Sequence, residues 1–216
     1  MKLKAIVLLS GGIDSATVLH MFLKRGYDLT ALTFDYEEER SMELEAAKAI
    51  AQNAKVEHLV YQIEFYKKLS GSPSSSHAKI VDDTHGMSNA YVPARNVVFL
   101  GMATALAETI DAKLILTGHN RGDAKRFPDA DAKFLRAFNR VIEVGLKNKE
   151  SRPKVKMPLR RYDKFQVLKK AIRFGVPLEL TWSCYNNGPE PCGMCYGCIS
   201  RNQAFYSLGV SDPWRK

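Results

Sequence analysis

Long apolar runs are missing from this 216-residue chain, and none approaches the roughly 20 residues that a membrane helix requires. The lysine-bearing stretch from Met1 to Leu9 is too short for a signal peptide. It also runs into Ser10-Gly11-Gly12 where a small-residue cleavage site would stand. A buried first strand is the expectation, in a protein of the cytosol. Cysteine is scarce: the four present, Cys184, Cys192, Cys195 and Cys198, lie close together near the C-terminus. No disulfide framework holds the rest of the chain, and in a reducing compartment such a cluster reads as a metal site first. Internal repeats are absent, and so are basic stretches interleaved with aromatics of the kind that bind RNA.

What is present is ordinary globular composition, 45% apolar and 25% charged, enough for one α/β unit with a sizeable core. Basic residues outnumber acidic ones, 32 to 23, for a net charge of +9. That balance suits anionic partners such as nucleotides and phosphates, or simply a solvated lysine-rich surface, and nucleic acid is not directly implied.

Apolar periodicity predicts strands over Lys4–Leu9, Leu29–Phe34, Val56–Ile63 and Lys113–Thr117. Helices are predicted over Asp14–Lys24, Glu38–Ala54, Asn96–Thr109, Asp131–Gly145 and Asp163–Phe174. The stretch Ser70–Asn89 reads as a loop or lid. Strands alternating with helices predict a parallel sheet covered on both faces, with ligands at the strands' carboxyl ends. Residues 1–180 form the expected main unit, and 181–216 a cysteine-bearing segment of the same globule.

Ser10-Gly11-Gly12-Ile13-Asp14-Ser15 joins the first strand to the first helix. Paired glycines let the backbone approach a phosphate, and the helix N-terminus then faces the anion. Ser10 and Ser15 add hydroxyls, and Asp14 suits a Mg²⁺ carried by the nucleotide. The bland alternative is a strand-turn-helix corner with Asp14 as a cap. The string lacks the Gly-Lys-Ser ending of a Walker loop. At the other end, the spacing Cys184-x7-Cys192-x2-Cys195-x2-Cys198 suits a closed tetrahedral Zn²⁺ site. An iron–sulfur cluster, or reactive cysteines of a sulfur-transfer enzyme, are the alternatives.

The loop resembles that of the PP-loop ATP pyrophosphatases, which activate an acyl oxygen by cleaving ATP to AMP and pyrophosphate. Combined with Tyr91-Val92-Pro93-Ala94-Arg95-Asn96 and Trp182-Ser183-Cys184-Tyr185, it makes nearly the whole chain similar to the QueC family. The resemblance implies a Rossmann-like PP-loop fold with a zinc-bearing C-terminal segment, usually a homodimer. It implies synthesis of 7-cyano-7-deazaguanine from ATP, ammonia and a deazapurine carboxylate, 7-carboxy-7-deazaguanine. ATP contacts are implied at Leu8, Leu9, Ser10, Gly11, Gly12, Ile13, Asp14, Ser15, Phe34, Asp35 and Gly118. Substrate contacts are implied at Tyr91, Arg95, Asn96, Asn120, Asp123 and Asp129, and catalytic roles at Asp14, Ser15, Arg95 and Lys164. The guanidinium fork of Arg95 suits a phosphate or carboxylate. Lys164 suits charge developing on the α-phosphate. Asn96 reads equally as a nucleotide contact or a helix cap, and Asp129 as a partner for a guanine-like base or a turn residue.

Two segments depart from the family pattern. Glu37, Glu38, Glu39 and Arg40 stand where Gly-Gln-Arg-His is usual. Arg121-Gly122-Asp123-Ala124-Lys125-Arg126-Phe127-Pro128-Asp129-Ala130-Asp131 replaces Glu-x-Asp-Tyr-Ser-Gly-Tyr-Pro-Asp-Cys-Arg. These departures leave open a divergent ligase that joins the acid to another amine acceptor such as a protein, with Arg121, Lys125 and Arg126 attracting an acidic acceptor. A tRNA-modifying PP-loop enzyme and a non-catalytic zinc module are further alternatives.

Overall fold

The computed structural model describes residues 2–36, 42–67 and 92–214. The lid expectation for Ser70–Asn89, the departure at Glu37–Arg40 and the site residue Tyr91 lie outside these. Five strands, β1 (Lys4–Leu8), β2 (Asp28–Asp35), β3 (Glu57–Gln62), β4 (Leu114–Leu116) and β5 (Lys154–Lys156), form one sheet in the order β3-β2-β1-β4-β5. Every pairing is parallel. The central strand β1 carries Ala5, Ile6 and Val7 with almost no exposure, as expected of a strand covered on both faces.

Alternation along β1 distributes these side chains between two cores. Ala5 and Val7 pack with residues of α1 (Ile13–Lys24), α2 (Met42–Ala54) and α7 (Lys164–Phe174). Ile6 packs on the other face with α4 (Arg95–Ile110) and α6 (Ala132–Gly145). A one-turn helix α3 (Glu64–Lys67), a short α5 (Arg121–Arg126) and a C-terminal α8 (Tyr196–Leu208) complete the set among the described residues. Ala204 and Phe205 of α8 join the same core as α1 and α7, so the cysteine-bearing segment packs into the main core.

The sheet builds outward from β1 in opposite directions, through β2 and β3 on one side and β4 and β5 on the other. The chain therefore leaves β1 and β4 on diverging paths, which opens a crevice at their carboxyl ends. The segment Ser10–Gly12 follows β1, and Thr117–Asn120 follows β4.

Two devices secure the C-terminal third. Asp163 caps α7 reciprocally: its carboxylate accepts from Gln166 N at 2.9 Å, while Gln166 accepts from Asp163 N at 3.0 Å. Arg201 of α8 is fully buried and donates to both carboxylate oxygens of Asp212, at 2.7 and 2.9 Å. It also donates to Thr181 Oγ1 at 2.8 Å and lies 3.6 Å from the Trp214 ring centre. This network fastens the chain's tail to the segment that precedes the cysteines.

The four strands and five helices predicted from periodicity are present, with bounds shifted by a few residues. Asp131 and Asp163 prove to be caps, each accepting from a first-turn amide just inside its helix. The predicted helix from Glu38 is described from Met42 onward. Four of the strands and α-helices had no counterpart among the predictions: β5, α3, α5 and α8.

Candidate active site

The turn after β1 closes on itself. Ser15 Oγ sits 3.2 Å from Ser10 N and 3.2 Å from Ser10 Oγ, and donates to Gly12 O at 3.1 Å. These bonds hold the loop open around the first turn of α1. Gly11 has φ +83°, and a Cβ there would lie 2.3 Å from Glu43 O. No larger residue fits that position. Gly12 is the N-cap of α1 and supplies no side-chain cap. The first-turn N–H groups of α1 are thus left to an anion.

Asp14 does not cap the helix. It stands in the first turn of α1, pairs with Lys164 Nζ, and accepts from Asn120 Nδ2 at 3.2 Å. Three strand-end or helix-start segments therefore converge on one carboxylate. Gly118 presses against the loop from the β4 side, since a Cβ there would lie 2.8 Å from Ser15 N. The crevice between these segments forms a cavity of about 380 Å³. Its walls include Ser10, Gly12, Asp14, Asn120, Asp123 and Lys164, all anticipated from sequence.

The opposite wall was not anticipated. Trp182, Ser183, Tyr185, Tyr196, Gly197 and Ser200 bring the cysteine segment against the loop. Trp182 N donates to Gly11 O at 2.9 Å, so the segment leading into the cysteines is bonded to the phosphate loop. The string Trp182-Ser183-Cys184-Tyr185 carried part of the family resemblance, but sequence spacing gave no sign that it faces the phosphate loop. Glu43 of α2 also lines the cavity.

The remaining candidates divide by location. Leu9, Ile13 and Phe34 are buried core side chains, so only their backbone can face a ligand. Leu8 packs against the core on the α4 side of the sheet. Phe34 stacks on Phe99 at 4.2 Å. Asp35 ends β2, half-buried. Arg95 donates to Tyr36 OH at 3.2 Å, and burial alone would weaken its charge. Tyr36, Glu43 and Asp129 outweigh that burial and hold the guanidinium more firmly protonated than usual. Asn96 is buried and donates from backbone and side chain to Asp129, both at 3.3 Å. Asp129 therefore ties the start of α4 to the turn before α6 and is already engaged.

Two groups are electrostatically displaced. Burial, with Asp14 adding repulsion, lifts the Asp123 carboxyl to about 6, although Asn120 N donates to it at 2.8 Å. Burial, with Arg95 adding repulsion, lowers His119 to about 4. His119 contacts Thr117 Oγ1 at 3.0 Å. It is a neutral packing residue beside the loop over the whole range above about pH 5. Of the basic cluster in the divergent loop, Arg121 pairs with Asp163 at 2.8 Å, and Arg126 lies over the Tyr196 ring.

The four cysteine sulfurs lie within 4.8 Å of one another. Zn–S bonds of about 2.3 Å in a tetrahedron place sulfurs about 3.8 Å apart, so small adjustments close the set. Backbone N–H groups also point at the sulfurs. Asn186 and Cys192 donate to Cys184 Sγ, each at 3.4 Å, and Tyr185 donates to Cys195 Sγ at 3.4 Å. Donors so placed stabilise thiolates, the form a metal needs. The donor set therefore fits a closed metal centre, with Cys184 buried as one of its members.

A parallel sheet with a glycine-lined anion loop at its switch point, facing an Asp–Lys–Asn cluster, defines a nucleotide-binding protein of the PP-loop class. Solved structures agree on the fold. One is the U34-tRNA thiolase NcsA from Methanococcus maripaludis, with a TM-score of 0.53 at 16% identity, covering 96% of this chain and 66% of the other. Another is an NMN synthetase from Francisella tularensis, with a TM-score of 0.54 at 16% identity, covering 97% and 78%. The family model described as queuosine biosynthesis protein QueC matches residues 4–209, and the chain belongs to that family. It is 36% identical to the 7-cyano-7-deazaguanine synthase of Methanoculleus marisnigri, over 97% of each chain. It is 39% identical to that of Desulfitobacterium hafniense, over 97% of this chain and 91% of the relative.

Proposed function

We propose that this chain converts 7-carboxy-7-deazaguanine and ammonia into 7-cyano-7-deazaguanine at the expense of ATP. The observation that carries the reading is the near full-length match to synthases of that name, over the segment that includes the phosphate loop and all four cysteines. The anion loop, with Lys164 and Asn120 around Asp14, supports the ATP half of the chemistry.

In this reading the substrate carboxylate oxygen attacks the α-phosphorus of ATP and pyrophosphate leaves. The N–H groups of the loop and the Ser10 and Ser15 hydroxyls take up the departing pyrophosphate. Lys164 moves from Asp14 towards charge growing on the α-phosphoryl oxygens. Ammonia then adds to the acyl carbon, the C–O bond to AMP breaks, and the amide results. The amide oxygen then attacks the α-phosphorus of a second ATP and pyrophosphate leaves. Loss of both amide protons with cleavage of the C–O bond to AMP leaves the nitrile. Arg95, beside Tyr36, suits the acid's carboxylate before activation. Asn96 and Asp129 suit the region around the base through the turn they hold. Asp14 would hold Mg²⁺, which supplies charge neutralisation on the phosphates. Cys184, Cys192, Cys195 and Cys198 would hold Zn²⁺, which supplies folding free energy to the wall they carry. The protein would work as a homodimer in the cytoplasm.

The test is incubation of purified protein with ATP, Mg²⁺, the carboxylic acid and an ammonium salt, with mass spectrometry of the products. Nitrile is the expected product. Failure to activate this acid would remove the substrate assignment.

A further inference from the structure

Arg126 has no place in the mechanism above, yet it is held in a defined position. It is the last residue of α5, and its guanidinium carbon lies 3.6 Å from the centre of the Tyr196 ring. At the other end of the same helix, a Cβ on Gly122 would lie 3.9 Å from Tyr196 OH. The hydroxyl end of the ring thus lies near the start of α5, while its face receives the guanidinium from the helix's last residue. Arg126 makes no salt bridge among the described residues, so this cation–π contact is its main engagement.

Tyr196 begins α8, between Cys195 and Cys198, and lines the cavity, whereas Arg126 does not. Arg126 therefore stands behind the cavity wall, in contact with Tyr196. Six residues are too few for a helix to stand alone. One end of α5 is fixed by Asn120, which caps the helix and donates to Asp14. Phe127 N closes the other end on Asp123 O at 2.9 Å, but that bond is internal to the segment. The Arg126–Tyr196 stack is what ties that end to the facing wall.

We infer that Arg126 and Tyr196 form a clasp joining α5 to the cysteine segment, and that Arg126 is a positioning residue setting the width of the cavity beside Asn120 and Asp123, two of the expected substrate contacts. The inference rests on the proposed reaction for its kinetic consequence, but its structural part stands without it. Removing the guanidinium unties that end of α5 from the cysteine segment and lets Tyr196 turn away, which loosens the enclosure around Asn120 and Asp123, while Asp129 still anchors the following turn to α4. The phosphate loop lines the same cavity but is held by its own Ser10–Ser15 and Ser15–Gly12 bonds, which do not involve Tyr196.

The test compares Arg126→Ala, Arg126→Lys and Tyr196→Leu with the wild type. Arg126→Ala and Tyr196→Leu are expected to raise KM for the acid about tenfold, with KM for ATP unchanged. Arg126→Lys, which keeps a cation over the ring, recovers part of the loss. Amide hydrogen exchange at Gly122, Asp123 and Ala124 should quicken in Arg126→Ala, with α8 amides, melting temperature and metal content as in the wild type. An unchanged KM for the acid in Arg126→Ala overturns the inference. So does a parallel rise in both KM values with lost metal or a lower melting temperature, the signature of a general structural role. If the wild type makes no nitrile, the proposed reaction fails, and hydrogen exchange alone then decides whether the clasp exists.

Discussion

Asp14 is the residue on which the site turns. It receives Lys164 and Asn120 from opposite sides and stands at the mouth of a helix whose first N–H groups are free for phosphate. Replacement by alanine should abolish AMP formation while circular dichroism and metal content stay unchanged. Retained turnover would contradict its role. Gly118 offers a complementary test, because a methyl group there would press on Ser15 N from 2.8 Å. Gly118→Ala should weaken ATP binding by about tenfold or more, measurable by calorimetry with a non-hydrolysable analogue. His119 contributes through pH. Its folded pKa of about 4 lies below the ordinary 6.5, so the unfolded chain binds the extra proton between those values. Stability is then complete above about pH 6.5 and is lost as the pH falls towards 4. Each unit is worth about 1.4 kcal/mol, so with partial solvation about 2 kcal/mol disappears across that window. His119→Asn should flatten this limb of the stability curve in urea titrations, and an unaltered limb would exclude the assignment.

At the scale of elements, the sequence was informative wherever period and capping agreed. Lys4–Leu8 is apolar enough to be buried on both faces, and the Ser-Gly-Gly string after it could be read as an anion loop before any coordinates. The strand at Lys154–Lys156 has one buried residue between two exposed lysines, which is too little pattern to distinguish from a loop. Helix α5 takes its stability from the Asn120–Asp123 capping box and the Tyr196 contact, neither of which shows as hydrophobic period. In α8 the cysteine spacing pointed to metal, while the helix itself carries no strong apolar stripe and its buried residues include Arg201. The facing of Trp182 and Tyr185 onto the loop depends on contacts between residues far apart in the chain, and local sequence does not encode those. The buried pair tests the tail directly. Asp212→Ala leaves the Arg201 guanidinium uncompensated, and loss of a buried partner costs about 3–5 kcal/mol. A drop of that size in urea unfolding is expected, and a change below about 1 kcal/mol would show the tail to be dispensable.

Across the whole molecule, the sheet order places two loops at one crevice, and the C-terminal segment closes over them. The segment before the cysteines meets the phosphate loop directly, with Trp182 N bonded to Gly11 O. No helix among the described residues is long and apolar enough to cross a membrane. Chelation of metal from the four cysteines should therefore loosen the cavity wall as well as the tail. ATP affinity is expected to fall along with thermal stability, and unchanged nucleotide binding after complete metal removal would separate the two. The central claim is that the Gly11–Gly12 loop directs attack to the α-phosphorus of ATP. Phosphorus NMR of the nucleotide products formed with the deazapurine acid tests it most directly. The account predicts AMP and pyrophosphate in equal amounts, and ADP with orthophosphate would contradict it.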